Sequence, residues 1–435
     1  YQVRVARSLV RMTNVTEAVL TLPSSEPSRP RPPWRALPVL LVGAFLPVLD
    51  AFIVNVALAT IGRDLHTGPA ELELTVSGYG VAYACSLVAG GRLGDRFGRR
   101  RLFMIGMAAF TLCSVACGLA PTAAVLVVFR IAQGMAASLM FPQVIAAIQA
   151  GFTGADRQRA LGYFGATIGI AGVLGQVLGG ALLSADIAGL SWRVVFLVNV
   201  PVGIVTLAVC RRTVPESRLQ KAIPVDVRGA SSLAVVIALV LLPLTLGRST
   251  GWPLWTWLSF AAAVPAGIGF VASQRRAERA GRVPLLPPSL LAIPAARIGL
   301  AMTVLFTVCL GGFLFSLSVI LQFGHGFSPI ASGLTMGPCA LAFFGVSLTI
   351  RRLQARFGAR LLVGGALLFA LGLAGFAAVA ASTGDALTGP EAAAPLVIAG
   401  LGWAAVLVPL MGVVLGGLPA ERAGLAGGVL STAVQ

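Results

Sequence analysis

Two charged side chains, Asp50 and Arg130, stand inside long apolar stretches of this 435-residue chain. At a helix centre each costs about 2.5–3.5 kcal/mol to place in hydrocarbon, so a functional reason is the default expectation. Desolvation disfavours the carboxylate, which suits Asp50 to taking up a proton on one side of a membrane and releasing it on the other. The alternative is an Asp bonded to neighbouring hydroxyls or backbone that never titrates. Arginine stays charged when desolvated, so Arg130 cannot carry the proton; by approaching or withdrawing it can change how tightly Asp50 holds one. Its alternative role is to bind backbone carbonyls where helices break. Gln133 lies on the same helix face, three residues on. At 1.5 Å per residue, Asp50 lies about 16 Å and Arg130 about 11 Å from the outer ends of their helices, so the two can share a level.

The elements that must position these residues follow from composition. The chain is 57% hydrophobic and 11% charged, with a mean hydropathy of +0.91; an ordinary soluble domain carries about 25% charged residues. Apolar runs fall at 36–61, 73–90, 102–120, 123–148, 160–184, 193–210, 229–247, 253–273, 298–322, 330–350, 361–382 and 394–417. Each is long enough for a helix to cross a hydrocarbon core of ~30 Å, which predicts an all-α integral membrane protein. The net charge of +17 does not point to nucleic acid: 28 of the 32 Lys and Arg fall in the N-terminal tail and in alternate loops. The positive-inside rule then places the N-terminus in the cytoplasm, with the basic loops against anionic lipid headgroups. The six cysteines show no metal-ligand spacing, so neither a metal nor a cofactor is expected. A membrane enzyme or sensor would need clustered acids, clustered histidines or a soluble domain, and the sequence has none.

The loop Gly91-Arg92-Leu93-Gly94-Asp95-Arg96-Phe97-Gly98-Arg99-Arg100-Arg101 separates the second and third runs. Gly91, Gly94 and Gly98 allow tight turns there. Asp95 can lie against the positive N-terminal end of a helix or pair with an arginine such as Arg96 or Arg99, and so latch the outward-facing state; the bland reading is a stop-transfer charge cluster. RLGDRFGRR at 92–100 recurs as RLQARFGAR at 352–360, an offset of 260 residues, so two halves descend from one unit. The acid is Ala355 in the second copy, so the latch is expected on one half only. The resulting parse has a basic tail at 1–35, a six-helix half at 36–210 and a linker at 211–228. Two extra helices at 229–273 and a linker at 274–297 lead to an incomplete second half at 298–435. A thirteenth span is expected to begin near Gly424 and to continue beyond this chain, with Met12 a candidate native start.

Several strings carry a family resemblance. The 91–101 loop resembles the motif between the second and third spans of the major facilitator superfamily. LDAFIVNVAL at 49–58, LVVFRIAQG at 126–134 and SWRVVFLVNVPVG at 191–203 resemble motifs of its fourteen-span drug:proton antiporter branch. The resemblance implies a fold of two pseudo-symmetric six-helix halves with a two-helix central insert, here lacking its C-terminal helices. It also implies a proton-coupled exporter of small amphipathic drugs or antibiotics, monomeric, in the cytoplasmic membrane, with the proton gradient in place of a cofactor. Asp50, Arg130 and Gln133 take the coupling role by that resemblance. The branch's fifth-span motif, Gly-Pro-x-x-Gly-Gly, appears as Gly175-Gln176-Val177-Leu178-Gly179-Gly180, so the proline bend is missing while the glycines still permit close helix packing. The alternatives are a facilitator or importer of the same fold without proton antiport, or an inactive fragment.

Overall fold

The computed structural model describes residues 34–217, 226–282, 284–285 and 288–416. Among these, twelve helices are long and apolar enough to cross a membrane. They are α1 Leu37–Asp64, α2 Pro69–Phe97, α3 Arg99–Gly118, α4 Ala123–Gly151, α5 Gly154–Ala185 and α6, the span Ser191–Thr213. There follow α7 Val227–Leu246, α8 Leu254–Arg279, α9 Pro294–Val319, α10 Pro329–Phe357, α11 Arg360–Thr383 and α12 Gly389–Gly416. They correspond one for one to the twelve apolar runs. The expected thirteenth span near Gly424, the tail up to residue 33 and residues 218–225 of the first linker lie outside the described residues.

Helix starts use local chemistry. Thr122, Asp226 and Ser328 accept hydrogen bonds from the backbone N–H groups of Val125, Gly229 and Ala331 at the starts of α4, α7 and α10. Proline opens α2, α9 and α10, where its missing N–H is no loss.

The loop expected at 91–101 is far shorter than its charge implies. α2 runs through Gly91, Gly94, Asp95 and Arg96 to Phe97, and the chain turns at Gly98 alone, with φ 102°. The expectation that Gly91 and Gly94 make turns is therefore corrected. Nothing from 91 to 97 forbids a helix, and these two glycines serve contact with α4 instead. A Cβ at position 94 would overlap the Gln143 side-chain amide, and one at 91 would lie 3.7 Å from Pro142. In the second half Gly358, at φ 53°, ends α10 as Gly98 ends α2, each N–H donating back four residues, to Gln354 O and Gly94 O. The sequence repeat is thus a repeat of one turn.

Packing within each half is by close backbone approach. α4 nests against α2 and α3, and α12 nests against α10, α11 and α9. A Cβ on Gly134 of α4 would collide with the Tyr79 carbonyl of α2, and one on Gly400 of α12 would collide with the Cys339 carbonyl of α10. Without a hydrophobic driving force between helices in lipid, such small-residue contacts supply the packing. The halves meet chiefly along α5 and α10. α7 and α8 pack on each other, with α7 also on α2; both leave most of their surface exposed.

Candidate functional site

Asp50 of α1 and Arg130 of α4 have no solvent exposure, and they meet. Arg130 Nη1 donates to Asp50 Oδ2 and also to Gln133 Oε1 at 2.9 Å. Arg130 Nε donates to the Thr75 carbonyl of α2 at 2.9 Å, and the guanidinium lies over the Tyr79 ring, 4.2 Å from its centroid. The other carboxylate oxygen, Asp50 Oδ1, accepts from Gln133 Nε2 at 3.1 Å and from Asn199 Nδ2 of α6 at 2.9 Å. Beneath them the Ser114 hydroxyl of α3 accepts from Gln133 at 3.2 Å and Asn199 at 3.0 Å and donates to the Phe196 carbonyl at 3.0 Å.

Five helices of the first half therefore converge on one ion pair. Burying two charges costs several kcal/mol per ion, offset only where geometry is good and the remaining hydrogen-bonding sites are filled. Both carboxylate oxygens are filled here, and every group touching them is a donor. That arrangement fits the ionised carboxylate, which only accepts; a protonated Asp50 would point its own O–H at a donor.

The pair borders a cavity between the halves. This chamber, about 690 Å³, lies between the halves, with Arg130, Tyr79 and Phe52 on one side and Phe343, Met336 and Trp403 on the other. Asp50 is not on its wall, since Arg130 stands between the carboxylate and the space.

The remaining residues singled out in the sequence divide into two groups. Gly175 and Gly179 bring α5 against α1: a Cβ at 175 would lie 2.8 Å from Phe52 Cβ and 2.9 Å from the Leu49 carbonyl, and one at 179 would lie 3.1 Å from the Ile53 carbonyl. Gly180 is buried on the same helix. Gln176 turns the other way, onto the cavity wall. At the far end of α2, Asp95 pairs with Arg99 at 3.0 Å and Arg99 Nη1 donates to the Ala146 carbonyl of α4 at 3.0 Å. Arg96 is exposed and lies against Phe97. Of the two expectations for Asp95, the structure gives the arginine pair. The N-terminal end of α3 is taken by Glu216, whose carboxylate accepts from the Arg100 and Arg101 N–H groups at 3.1 and 3.2 Å. Asn199, Ser114, Thr75 and Tyr79 were not singled out from sequence. Asn199 left a signal, as a lone amide in the apolar string 191–203.

A chamber between two helical halves of a chain with twelve apolar spans, with a buried charge pair behind one wall, is the layout of a multi-pass membrane carrier. Residues 40–435 match the family described as Major Facilitator Superfamily. The chain belongs to that superfamily: it is a membrane transporter and not an enzyme. Among curated relatives, the probable actinorhodin transporter of Streptomyces coelicolor is 35% identical over 92% of this chain and 70% of its own length. The tetracenomycin C resistance and export protein of Streptomyces glaucescens is 33% identical over 93% of this chain and 73% of its own length. The cephamycin export protein CmcT of Amycolatopsis lactamdurans is 32% identical over 92% and 82%. Among solved structures, the proton:xylose symporter XylE bound to 6-bromo-6-deoxy-D-glucose superposes with a TM-score of 0.65 at 16% identity, covering 93% of this chain and 86% of that one. At that identity the likeness is one of fold.

Proposed function

We propose that this chain is a proton-coupled exporter of small amphipathic molecules, of the antibiotic class that its relatives are named for, in the cytoplasmic membrane with its N-terminus inside. The carrying observation is the fully buried Asp50–Arg130 pair, which separates a titratable carboxylate from the chamber by one guanidinium. Protonating Asp50 cancels the charge that holds Arg130. The guanidinium, still cationic, then shifts its weight to the Thr75 carbonyl and the chamber. Because Thr75 belongs to α2 and Asp50 to α1, proton binding changes how these helices are tied to α4. Substrate and proton then compete through the position of one arginine, which is the requirement for antiport.

In this reading α1–α6 and α9–α12 are the two related halves, α7–α8 is a peripheral pair, and the basic loops face the cytoplasm and its anionic lipids. The Asp95–Arg99 pair steadies one state of the first half. The working unit is a monomer, and the proton gradient is the energy source.

The test uses proteoliposomes of known orientation containing a pH-sensitive dye, with tetracenomycin C and actinorhodin as first substrates. Substrate addition should drive proton movement in the opposite direction, and Asp50→Asn should abolish it. Substrate flux that ignores an imposed pH gradient in the unmodified protein would leave a facilitator and end the antiport reading.

A further inference from the structure

The chamber's polar atoms are few and, besides Arg130 Nη2, three of them lack a partner. Gln176 Oε1 of α5, the Tyr83 hydroxyl of α2 and Trp403 Nε1 of α12 are each buried without a hydrogen bond to any described residue, and all three residues line the chamber. They are 94%, 94% and 92% buried, respectively. An unpaired buried polar group is costly, and native structures carry few of them. Three around one cavity, from both of its sides, indicate a site whose hydrogen bonds are completed by an occupant.

The charges on the wall restrict that occupant. Among the described lining residues no Asp or Glu appears, and Arg130 is the one charged group. Asp50 lies behind it with both oxygens engaged, so the field in the chamber runs from neutral to positive as Asp50 takes a proton. An organic cation would meet repulsion in a low-dielectric space without an acid to pair with. Aromatic faces do not replace that acid. Arg130 already covers Tyr79, and Phe343 and Trp403 pack on each other at 4.7 Å.

Shape narrows the class further. The Tyr79 and Tyr83 rings of α2 stand 2° from parallel with centroids 6.2 Å apart, which sets two aromatic planes in one orientation along the chamber, and the rest of the lining is mostly apolar. A volume of about 690 Å³ lies within the range of drug-sized sites. Along α5, Gln176 stands about 10 Å from Gly169, the position that faces Phe343 beside Trp403. The unpaired groups are therefore spread along a ligand rather than gathered at one point.

We infer that the chamber binds flat, hydroxylated polycyclic aromatics that are neutral or weakly acidic, and rejects organic cations. Gln176 and Tyr83 receive the ligand's hydroxyl groups, and the Trp403 N–H donates to a carbonyl. This deepens the exporter reading and rests on the chamber being its substrate site. Gln176, standing where the family motif has proline, is on this view a specificity residue.

Binding is measured by titration calorimetry on the full chain in lipid nanodiscs without a gradient, using emodin (a trihydroxyanthraquinone), its trimethyl ether and ethidium. Emodin should bind, with the ether at least tenfold weaker and ethidium without saturable binding. Gln176→Leu and Tyr83→Phe should each weaken emodin by roughly tenfold while leaving the ether's weaker binding unchanged, whereas Trp403→Phe should weaken emodin and the ether alike, because both keep the carbonyl. Thermal unfolding of each variant reports that the fold is kept. Ethidium binding as tightly as emodin, an ether equal to emodin, or Gln176→Leu and Tyr83→Phe variants that weaken emodin and ether alike would overturn the inference. Because no gradient is used, loss of proton coupling in the liposome assay leaves this result standing. Coupled transport without emodin binding would defeat only the substrate class.

Discussion

Replacing Asp50 by Asn preserves the volume at the centre of the first half and removes its negative charge. Arg130 is then a fully buried cation whose carboxylate partner is gone, left with the Thr75 carbonyl, the Gln133 amide oxygen and the Tyr79 ring. Removing one partner of a buried pair costs about 3–5 kcal/mol. The reverse change, Arg130→Met, is not equivalent. Arginine cannot shed its proton, whereas a lone Asp50 can take one up and become neutral. In that variant a protonated Asp50 in the folded state holds a proton that the unfolded state releases, so stability falls as pH rises. The destabilisation by Arg130→Met should therefore be smaller at pH 5 than at pH 7, while that of Asp50→Asn stays constant. The double variant should be more stable than the sum of the single changes implies, and still fail to couple protons. The assay is reversible unfolding in mixed micelles at both pH values, beside dye-reported proton flux. Equal, pH-independent costs for the two single variants, adding in the double, would refute a buried pair. Coupled flux in the double variant would refute its coupling role.

Three further outcomes follow from the packing. Gly98→Ala should destabilise by about 1–3 kcal/mol, because φ there is 102° and the new Cβ would lie 2.7 Å from Glu216 Oε1. Gly358→Ala, strained in φ but meeting open space, should cost less, and thermal unfolding showing the reverse order would contradict this. Gly134→Ala drives a methyl into the Tyr79 carbonyl, parts α2 from α4 and lengthens the Arg130–Thr75 contact, so transport should fall sharply. Gly267→Ala, with no neighbour within 4 Å, should be silent in the same flux assay. Asp95→Asn removes the partner of Arg99 within the first half and should slow turnover while emodin affinity in nanodiscs is unchanged; undiminished turnover would favour a stop-transfer role.

The twelve spans were legible because a continuous apolar run is a strong signal, and the buried Asp50–Arg130 pair was legible because two charges stand out against hydrocarbon. Span ends were less so. α2 continues seven residues past its apolar run, since arginine, aspartate and glycine at 91–97 do not oppose a helix that packs on α4. Glu216 could not be assigned to the end of α3, because that contact joins residues more than a hundred positions apart. Ser114 and Thr75 act through a hydroxyl and a carbonyl, groups found throughout the chain, so only the meeting of five helices singles them out. The chamber's polarity was hidden for a related reason. Asp50 read alone makes an acidic cavity, and Arg130 standing before it makes the wall cationic.

α2 has one further property. α1, α4 and α12 contain internal prolines, at Pro47, Pro142, and Pro395 with Pro409, whereas the only proline of α2 is at its first residue. From Thr75, which holds Arg130, to Asp95, which holds Arg99, the helix is an unbroken rod of about 30 Å. A tilt of roughly 5° about its midpoint would carry each end through about 1.3 Å, enough to break a hydrogen bond at either place. The buried ion pair and the Gly98 turn are thus the two arms of one lever, and displacement at one arm reaches the other without a relay of side chains between.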